Sequence, residues 1–215
     1  IEDYAIVALL PSYLEREGSS LIYMINHLIK KTRHPKSGFF LNNFKSLKNT
    51  IEYLEAKKQK TLLIGVSFAL LDFVETYKLE LNYTIIMETG GMKGRRKELT
   101  REELHKKLAD GFGVNNIHSE YGMTELLSQA YSKADGIFEL PSTMKVFIRD
   151  PEDPLQIFEK LNKTGGINVI DLANINSCAF LATQDLGQSV KKNRLKILGR
   201  FDYSDVRGCN LLTIY

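Results

Sequence analysis

His118-Ser119-Glu120-Tyr121-Gly122-Met123-Thr124-Glu125 reads as the end of a strand, a glycine turn and the start of a helix. A flat aromatic ring, a hydroxyl and an acid are packed into this one short stretch. A ring can stack on a nucleobase, exposed amides at a helix start favour phosphate, and a carboxylate can hold Mg²⁺. The same residues suit a capped helix entrance, with Thr124 and Glu125 solvating the first turn. The flanking sequence decides the fold around them.

Upstream, strand-length apolar runs alternate with amphipathic segments. Residues 4–10 form a short apolar run stopped by Pro11. Ser19-Ser20 caps a helical pattern in which Leu21, Ile22, Ile25, Leu28 and Ile29 share a face. Residues 38–41 read as strand, and 44–58 as helix with Leu47, Ile51 and Leu54 turned inward. Residues 61–66 read as a strand followed by a helix through Tyr77, and 83–87 as a strand leading into Gly90-Gly91. Thr100-Arg101-Glu102-Glu103 is a capping box whose helix ends near Gly111 or Gly113. Residues 116–119 form the strand that enters the opening run.

This alternation predicts an α/β fold with a doubly wound, mostly parallel sheet and helices on both faces. Ligands bind such sheets beyond the carboxyl ends of the strands, where Gly90-Gly91 and residues 121–125 both lie. From about Ile137 short apolar segments are separated by Pro, Gly, Asn and Asp, which predicts a smaller, mainly antiparallel β region. The expected division is an α/β region over 1–136 and a β-rich region over 137–215. Pro151-Glu152-Asp153-Pro154 reads as a turn and not as a linker.

At 215 residues the chain is long enough to bury a real core. With 43% apolar and 26% charged residues, it has the composition of an ordinary globular domain. A net charge of +3, without a basic stripe and interleaved aromatics, argues against nucleic acid as a partner. Two cysteines, Cys178 and Cys209, make no disulfide framework, so the reducing cytoplasm is the expected compartment. The longest apolar run, residues 62–74, is broken by Gly65, Ser67 and Asp72 and is too short for a transmembrane segment. The sequence shows no signal peptide. It opens at Ile1 directly in strand-like sequence, as expected of a fragment whose beginning is missing.

Three further stretches offer chemistry. Gly90-Gly91 lets backbone approach a planar ligand closely, and the following Lys93, Arg95 and Arg96 suit either phosphate or a solvated loop. Thr183-Gln184-Asp185-Leu186-Gly187 reads as a strand that ends on an acid. Asp185 there either caps a turn or accepts both hydroxyls of a ribose. Gly199-Arg200-Phe201-Asp202 follows another strand, where Arg200 is either a surface residue or a planar fork for that carboxylate or for phosphate oxygens.

Taken in order, residues 121–125, then 183–187, then Gly199-Arg200-Phe201-Asp202 resemble the motifs of the adenylate-forming superfamily, which includes acyl-CoA synthetases, firefly-type luciferases and peptide synthetase adenylation domains. Arg200 follows Asp185 by fifteen positions, the usual interval there. Gly90-Gly91 stands where that family has a glycine pair beside adenine. Within it, the stretch from Met92 to Leu104 and the Arg207-Gly208-Cys209-Asn210 ending most resemble LuxE-type acyl-protein synthetases, the long-chain-fatty-acid–protein ligases.

The resemblance implies ATP-dependent activation of a fatty acid as acyl-AMP, with Mg²⁺, followed by transfer of the acyl group to an enzyme cysteine. It implies that Tyr121 stacks on adenine, with Gly90, Gly91 and Gly122 lining the same site. Thr124 would bond the α-phosphate, and Glu125 would hold Mg²⁺ against pyrophosphate. Asp185 would bind the ribose hydroxyls, assisted by Arg200. Cys209 would take the acyl group as thiolate; on its residues alone it suits a small buried strand position equally well. Cys178, inside an apolar strand pattern, reads as buried. Implied partners are an acyl-transferase that supplies fatty acid and a reductase that consumes the acyl group.

Gln184 stands where the family has glycine. The family's Ser/Thr/Gly-rich phosphate loop is expected before Ile1, so the chain by itself is expected to be inactive. An acyl-CoA or aryl-CoA ligase, and a degenerate non-catalytic nucleotide-binding or assembly module, are the alternative readings.

Overall fold

The computed structural model of the protein describes residues 1–10, 19–90 and 99–201. These pack as two units, one of Ile1–Thr89 with Glu103–His118 and one of the described parts of Gly90–Glu102 and Ser119–Tyr215. The chain therefore passes between units at Gly90, Glu103 and Ser119, rather than once near residue 136.

The first unit carries the strand–helix alternation. Its elements are β1 (Ala5–Leu9), α1 (Ser20–Thr32), β2 (Gly38–Phe39), α2 (Phe44–Ala56), β3 (Thr61–Val66), α3 (Ser67–Thr76) and β4 (Thr84–Thr89). α4 (Arg101–Phe112) contributes to it from Glu103 onward. The strands pair in parallel in the order β2-β1-β3-β4, with Val7 opposite Gly38 on one side and Leu63 on the other. The chain moves outward from β1 to β2 and then back past β1 to β3, which reverses the winding. All five residues of β1 are buried, as expected of a strand flanked on both edges and covered on both faces.

Ser19 caps α1 by accepting the Ile22 N–H, and Asn43 caps α2 by accepting the Ser46 N–H. α4 stops where Gly113 takes a left-handed φ of 63°. An aromatic cluster joins three helices: Phe73 of α3 meets Phe44 edge-on at 5.8 Å and stacks on Phe112 at 5.7 Å. Gly111 lies against Val74, and a methyl at position 111 would overlap that side chain. Gly111→Ala is therefore expected to destabilise the protein by about 1–3 kcal/mol through overpacking. The helix-propensity gain of about 1 kcal/mol acts in the opposite direction and is outweighed. Chemical denaturation checks the sign.

The second unit is antiparallel. It holds β5 (His118–Tyr121) from Ser119 onward, β6 (Ala130–Ser132), β7 (Ile137–Glu139), β8 (Met144–Arg149), β9 (Thr164–Asp171), β10 (Phe180–Lys191) and β11 (Arg194–Arg200), paired in the order β5-β6-β7-β11-β10-β9-β8. Tyr121, Leu126, Phe138, Ile148, Ile167, Val169 and Ile197 are among the residues of its core. A one-turn 3-10 helix, Leu172–Asn174, follows β9.

The expected α/β class, with a parallel sheet followed by an antiparallel β region, is what forms. Two local expectations fail. No helix follows Tyr121, and the chain instead turns back into β6. Cys178 is exposed in the loop before β10, because that strand begins only at Phe180.

Candidate functional site

Every described candidate residue belongs to the second unit; Gly91 and Cys209 lie outside the described residues. Tyr121 ends β5 opposite Ala130, with its ring 0% exposed and tilted edge-on against Phe138. Its Oη donates to Asp185 Oδ2 at 2.7 Å, joining residues 64 apart in sequence. Asp185 sits directly opposite Arg200 in the β10–β11 ladder, with Arg200 Nε 3.5 Å from Asp185 Oδ1 and both side chains largely buried. Three residues from three strands thus meet around one carboxylate.

Asp185 does not end its strand. β10 runs on to Lys191, with pairing register shifts on both sides of this segment. The backbone groups that a terminal turn would leave to water are taken up locally. Thr183 Oγ1 donates to the Ile167 carbonyl and accepts the Asp185 N–H. Arg149 Nη2 donates to the Thr183 carbonyl, and Phe201 N–H donates to the Gln184 carbonyl. Thr183 and Gln184 pair in neither ladder, Asp185 pairs only with β11, and pairing with β9 resumes at Leu186, an irregularity of the bulge kind that bends a strand.

Burial pushes the Asp185 carboxyl above its ordinary value, and the nearby Glu125 charge pushes the same way against the Tyr121 hydrogen bond and Arg200. Burial and the Asp185 charge together raise the Tyr121 phenol well above its usual range, so it stays a neutral donor. Gly90 is buried with a left-handed φ of 69°, a conformation that favours glycine.

Thr124 and Glu125 are exposed on the turn after β5, flanked by buried Leu126 and Ser128. A side chain at Gly122 would meet Glu120 Oε1, so the end of the Glu120 side chain would have to shift. In place of helical bonds, side chains from the end of β9 and from the 3-10 helix after it hold this turn. Asp171 Oδ2 accepts the N–H groups of Leu127 and Ser128 at 2.8 and 2.9 Å, and Asn174 Nδ2 donates to the Glu125 carbonyl at 2.6 Å. These partners, more than forty residues downstream, outcompete the local helix signal.

Burial alone would raise the Asp171 carboxyl, but bonds from Ser128, Leu127 and Ala173 outweigh it and hold the group below its ordinary value. Its folded-state affinity for protons is therefore the weaker one. The linked stability is complete above the unfolded carboxyl pKa of about 4 and is lost as pH falls through that value toward the folded one. The melting-temperature gap between the native protein and Asp171→Asn should therefore shrink between about pH 5 and pH 3. A constant gap would contradict it.

Three contributors were not singled out from sequence: Arg149, Asp171 and Asn174. Arg149 is buried on β8 and donates to the carbonyls of Ile167 and Thr183 and to Asn168 Oδ1. Gly166 leaves space for its guanidinium, which also lies 5.5 Å from the Phe201 ring centre. The available signal was a set of charged or amide side chains at the ends of apolar strands, the same signal that marked Asp185.

Among the described candidate residues, Glu125 offers Mg²⁺ an exposed carboxylate, next in sequence to the Thr124 hydroxyl. Among the described residues, no cluster of three or more His, Cys, Asp or Glu side chains stands ready to hold a metal. That donor set fits Mg²⁺, which is held through one or two carboxylates plus water and substrate phosphates. It does not fit a closed all-protein metal cage.

No protein-family model matches the chain, and no curated protein matches it. Solved structures do. The luciferase-like enzyme of the nonluminescent mealworm Zophobas morio superposes with a TM-score of 0.57 at 16% identity, over 92% of this chain and 50% of that one. O-succinylbenzoate coenzyme A synthetase of Bacillus subtilis, solved with ATP and magnesium ion, gives 0.58 at 18% identity, over 95% and 44%. The fatty acyl-adenylate ligase of L. pneumophila, solved with acyl adenylate and pyrophosphate, gives 0.56 at 16% identity, over 95% and 44%. The chain shares its fold with these enzymes. The chain spans about half the length of these neighbours or less. Among the described residues, no helix is long and apolar enough to cross a membrane.

Proposed function

We propose that this chain is part of an ATP-dependent ligase that activates a fatty acid as acyl-AMP and passes the acyl group to a cysteine of the same protein, Cys209. The observation that carries the adenylating part is the Tyr121–Asp185–Arg200 cluster, on a fold shared with enzymes solved with ATP, AMP and acyl adenylate. Asp185 is a buried acceptor on a rigid strand, suited to the two hydroxyls of a ribose. Arg200 faces it and supplies the fixed positive charge next to phosphate and sugar oxygens.

Tyr121 lies beside the adenine position. Since its ring is buried in this arrangement, its contribution runs through the hydroxyl that orients Asp185. Gly90, Gly91 and Gly122 allow close backbone approach. Thr124 would bond the α-phosphate, and Glu125 would hold Mg²⁺ through its carboxylate. When bound, Mg²⁺ neutralises the charge that develops on the triphosphate oxygens.

In the first step a fatty-acid carboxylate oxygen bonds to the α-phosphorus of ATP and the bond to pyrophosphate breaks, giving acyl-AMP. In the second, the Cys209 thiolate bonds to the acyl carbon and AMP leaves, giving a thioester that keeps the acyl group reactive. Its supplier and consumer would be an acyl-transferase and an acyl reductase in the cytoplasm.

A second reading, an acyl- or aryl-CoA ligase, is favoured by the neighbours that are coenzyme A ligases. Full-length protein incubated with labelled fatty acid, ATP and Mg²⁺, but no coenzyme A, separates the two. Hydroxylamine-sensitive label on the protein, lost in Cys209→Ser, is expected. Label that never appears, or that survives in Cys209→Ser, overturns the acyl-protein reading. Label recovered on added coenzyme A instead favours the second.

A further inference from the structure

The turn that presents Thr124 and Glu125 is short, exposed at both residues and without regular secondary structure. Left to itself such a segment samples many conformations, and fixing each residue costs about 1–2 kcal/mol. Here it is tied down from one place. Asp171 is fully buried and spends both carboxylate oxygens on it. Oδ2 accepts the Leu127 and Ser128 N–H groups, and Oδ1 accepts Ser128 Oγ at 2.6 Å and the Ala173 N–H at 3.1 Å. Three residues on, buried Asn174 donates to the Glu125 carbonyl and, at 2.9 Å, to the Cys178 carbonyl. Ser128 Oγ also lies 2.7 Å from Thr143 Oγ1, which anchors the same corner to the residue before β8. The carbonyl of Glu125 and the amides of the second and third residues after it are therefore fixed by two side chains at the end of β9. The side chains of Thr124 and Glu125 remain outside this network and face solvent.

We infer that Asp171 and Asn174 are positioning residues that set where Thr124 and Glu125 meet the phosphate end of a Mg²⁺-bound nucleotide. This rests on the adenylating reading of the site. The two groups act through backbone, touching neither nucleotide nor metal, so they govern the metal-dependent part of binding and leave the ribose end at Asp185 alone. Asparagine at 171 replaces one acceptor oxygen with a donor, which faces a backbone N–H whichever way the amide turns, of Ala173 or of Leu127 and Ser128, so Asp171→Asn weakens the hold on the turn. Asn174→Ala releases the other side without touching a buried charge.

The test is calorimetric titration of full-length protein with ATP, in Mg²⁺ and again in EDTA, together with Mn²⁺ titration followed by electron paramagnetic resonance. The Mg²⁺-dependent gain in ATP affinity should fall by about tenfold or more in Asp171→Asn and Asn174→Ala, the size expected when a residue behind a metal ligand is removed. Mn²⁺ half-saturation should rise in parallel, while ATP affinity in EDTA stays within about twofold.

Native metal-dependent gain in both variants, with only a lowered melting temperature, overturns the positioning role. So does an equal loss in Mg²⁺ and EDTA, which marks a general collapse of the site. If Asp171→Asn does not fold, Asn174→Ala alone decides. If the native protein binds no ATP under either condition, the adenylating reading itself fails and takes this inference with it, an outcome distinct from unaltered variants on a binding-competent native protein.

Discussion

Tyr121→Ala is expected to destabilise the protein by about 3–5 kcal/mol, the range for truncating a fully buried aromatic side chain. Two losses combine at this position. The ring leaves a cavity in the core against Phe138, and Asp185 loses a buried hydrogen-bond donor. Tyr121→Phe separates them: it keeps the ring and removes only the hydroxyl, for about 1–3 kcal/mol. At about 2–4 °C per kcal/mol for a chain of this size, the alanine variant should melt roughly 6–20 °C lower. Thermal and chemical denaturation of both variants check the order. Equal stabilities for Phe and Ala would show that the ring is not part of the core. If the hydroxyl orients Asp185, Tyr121→Phe should also weaken nucleotide binding while leaving the fold intact.

The second large effect is at Asp185. A charged acceptor bonded to two ribose hydroxyls contributes about 1.5–3 kcal/mol per bond, so Asp185→Ala should weaken ATP binding by roughly a hundredfold or more. The same substitution removes the carboxylate that faces Arg200, and it should lower stability as the breaking of a largely buried pair does. A nucleotide comparison isolates the binding role. If Asp185 holds ribose, the native protein should bind 2′,3′-dideoxy-ATP about as poorly as the alanine variant binds ATP. Equal native affinity for ATP and its dideoxy form would remove ribose from the assignment.

Much of the fold was legible because its signals are local. β3 forms over the residues that the apolar run marks, Ser19 and Asn43 cap as their side chains allow, and α4 ends at the glycine able to take a left-handed φ. What escaped depends on distant partners. Residues 122–128 carry helix-start chemistry, yet Asp171 and Asn174 supply bonds that a helix would otherwise make, and no pattern near residue 125 points to them. Asp185 was singled out for its residue type, but its place inside a bent strand depends on Arg149 and Thr183. Arg149 ends an apolar strand, but its role is not legible from that, because its partners are mostly carbonyls, which every residue carries. Cys178 reads as buried because the apolar pattern runs ahead of the strand, which begins only at Phe180.

The bend in β10 has a consequence for affinity. A carboxylate on a flexible loop must be frozen each time a ligand arrives, and that cost is subtracted from binding. Here the pairing with Arg200 on β11, the Tyr121 hydroxyl and the Arg149 bond to the Thr183 carbonyl fix the acceptor before any ligand is present. The ordering is completed when the chain folds, so if Asp185 holds ribose as proposed, the ligand meets a rigid, preset receptor and keeps more of its contact energy as affinity.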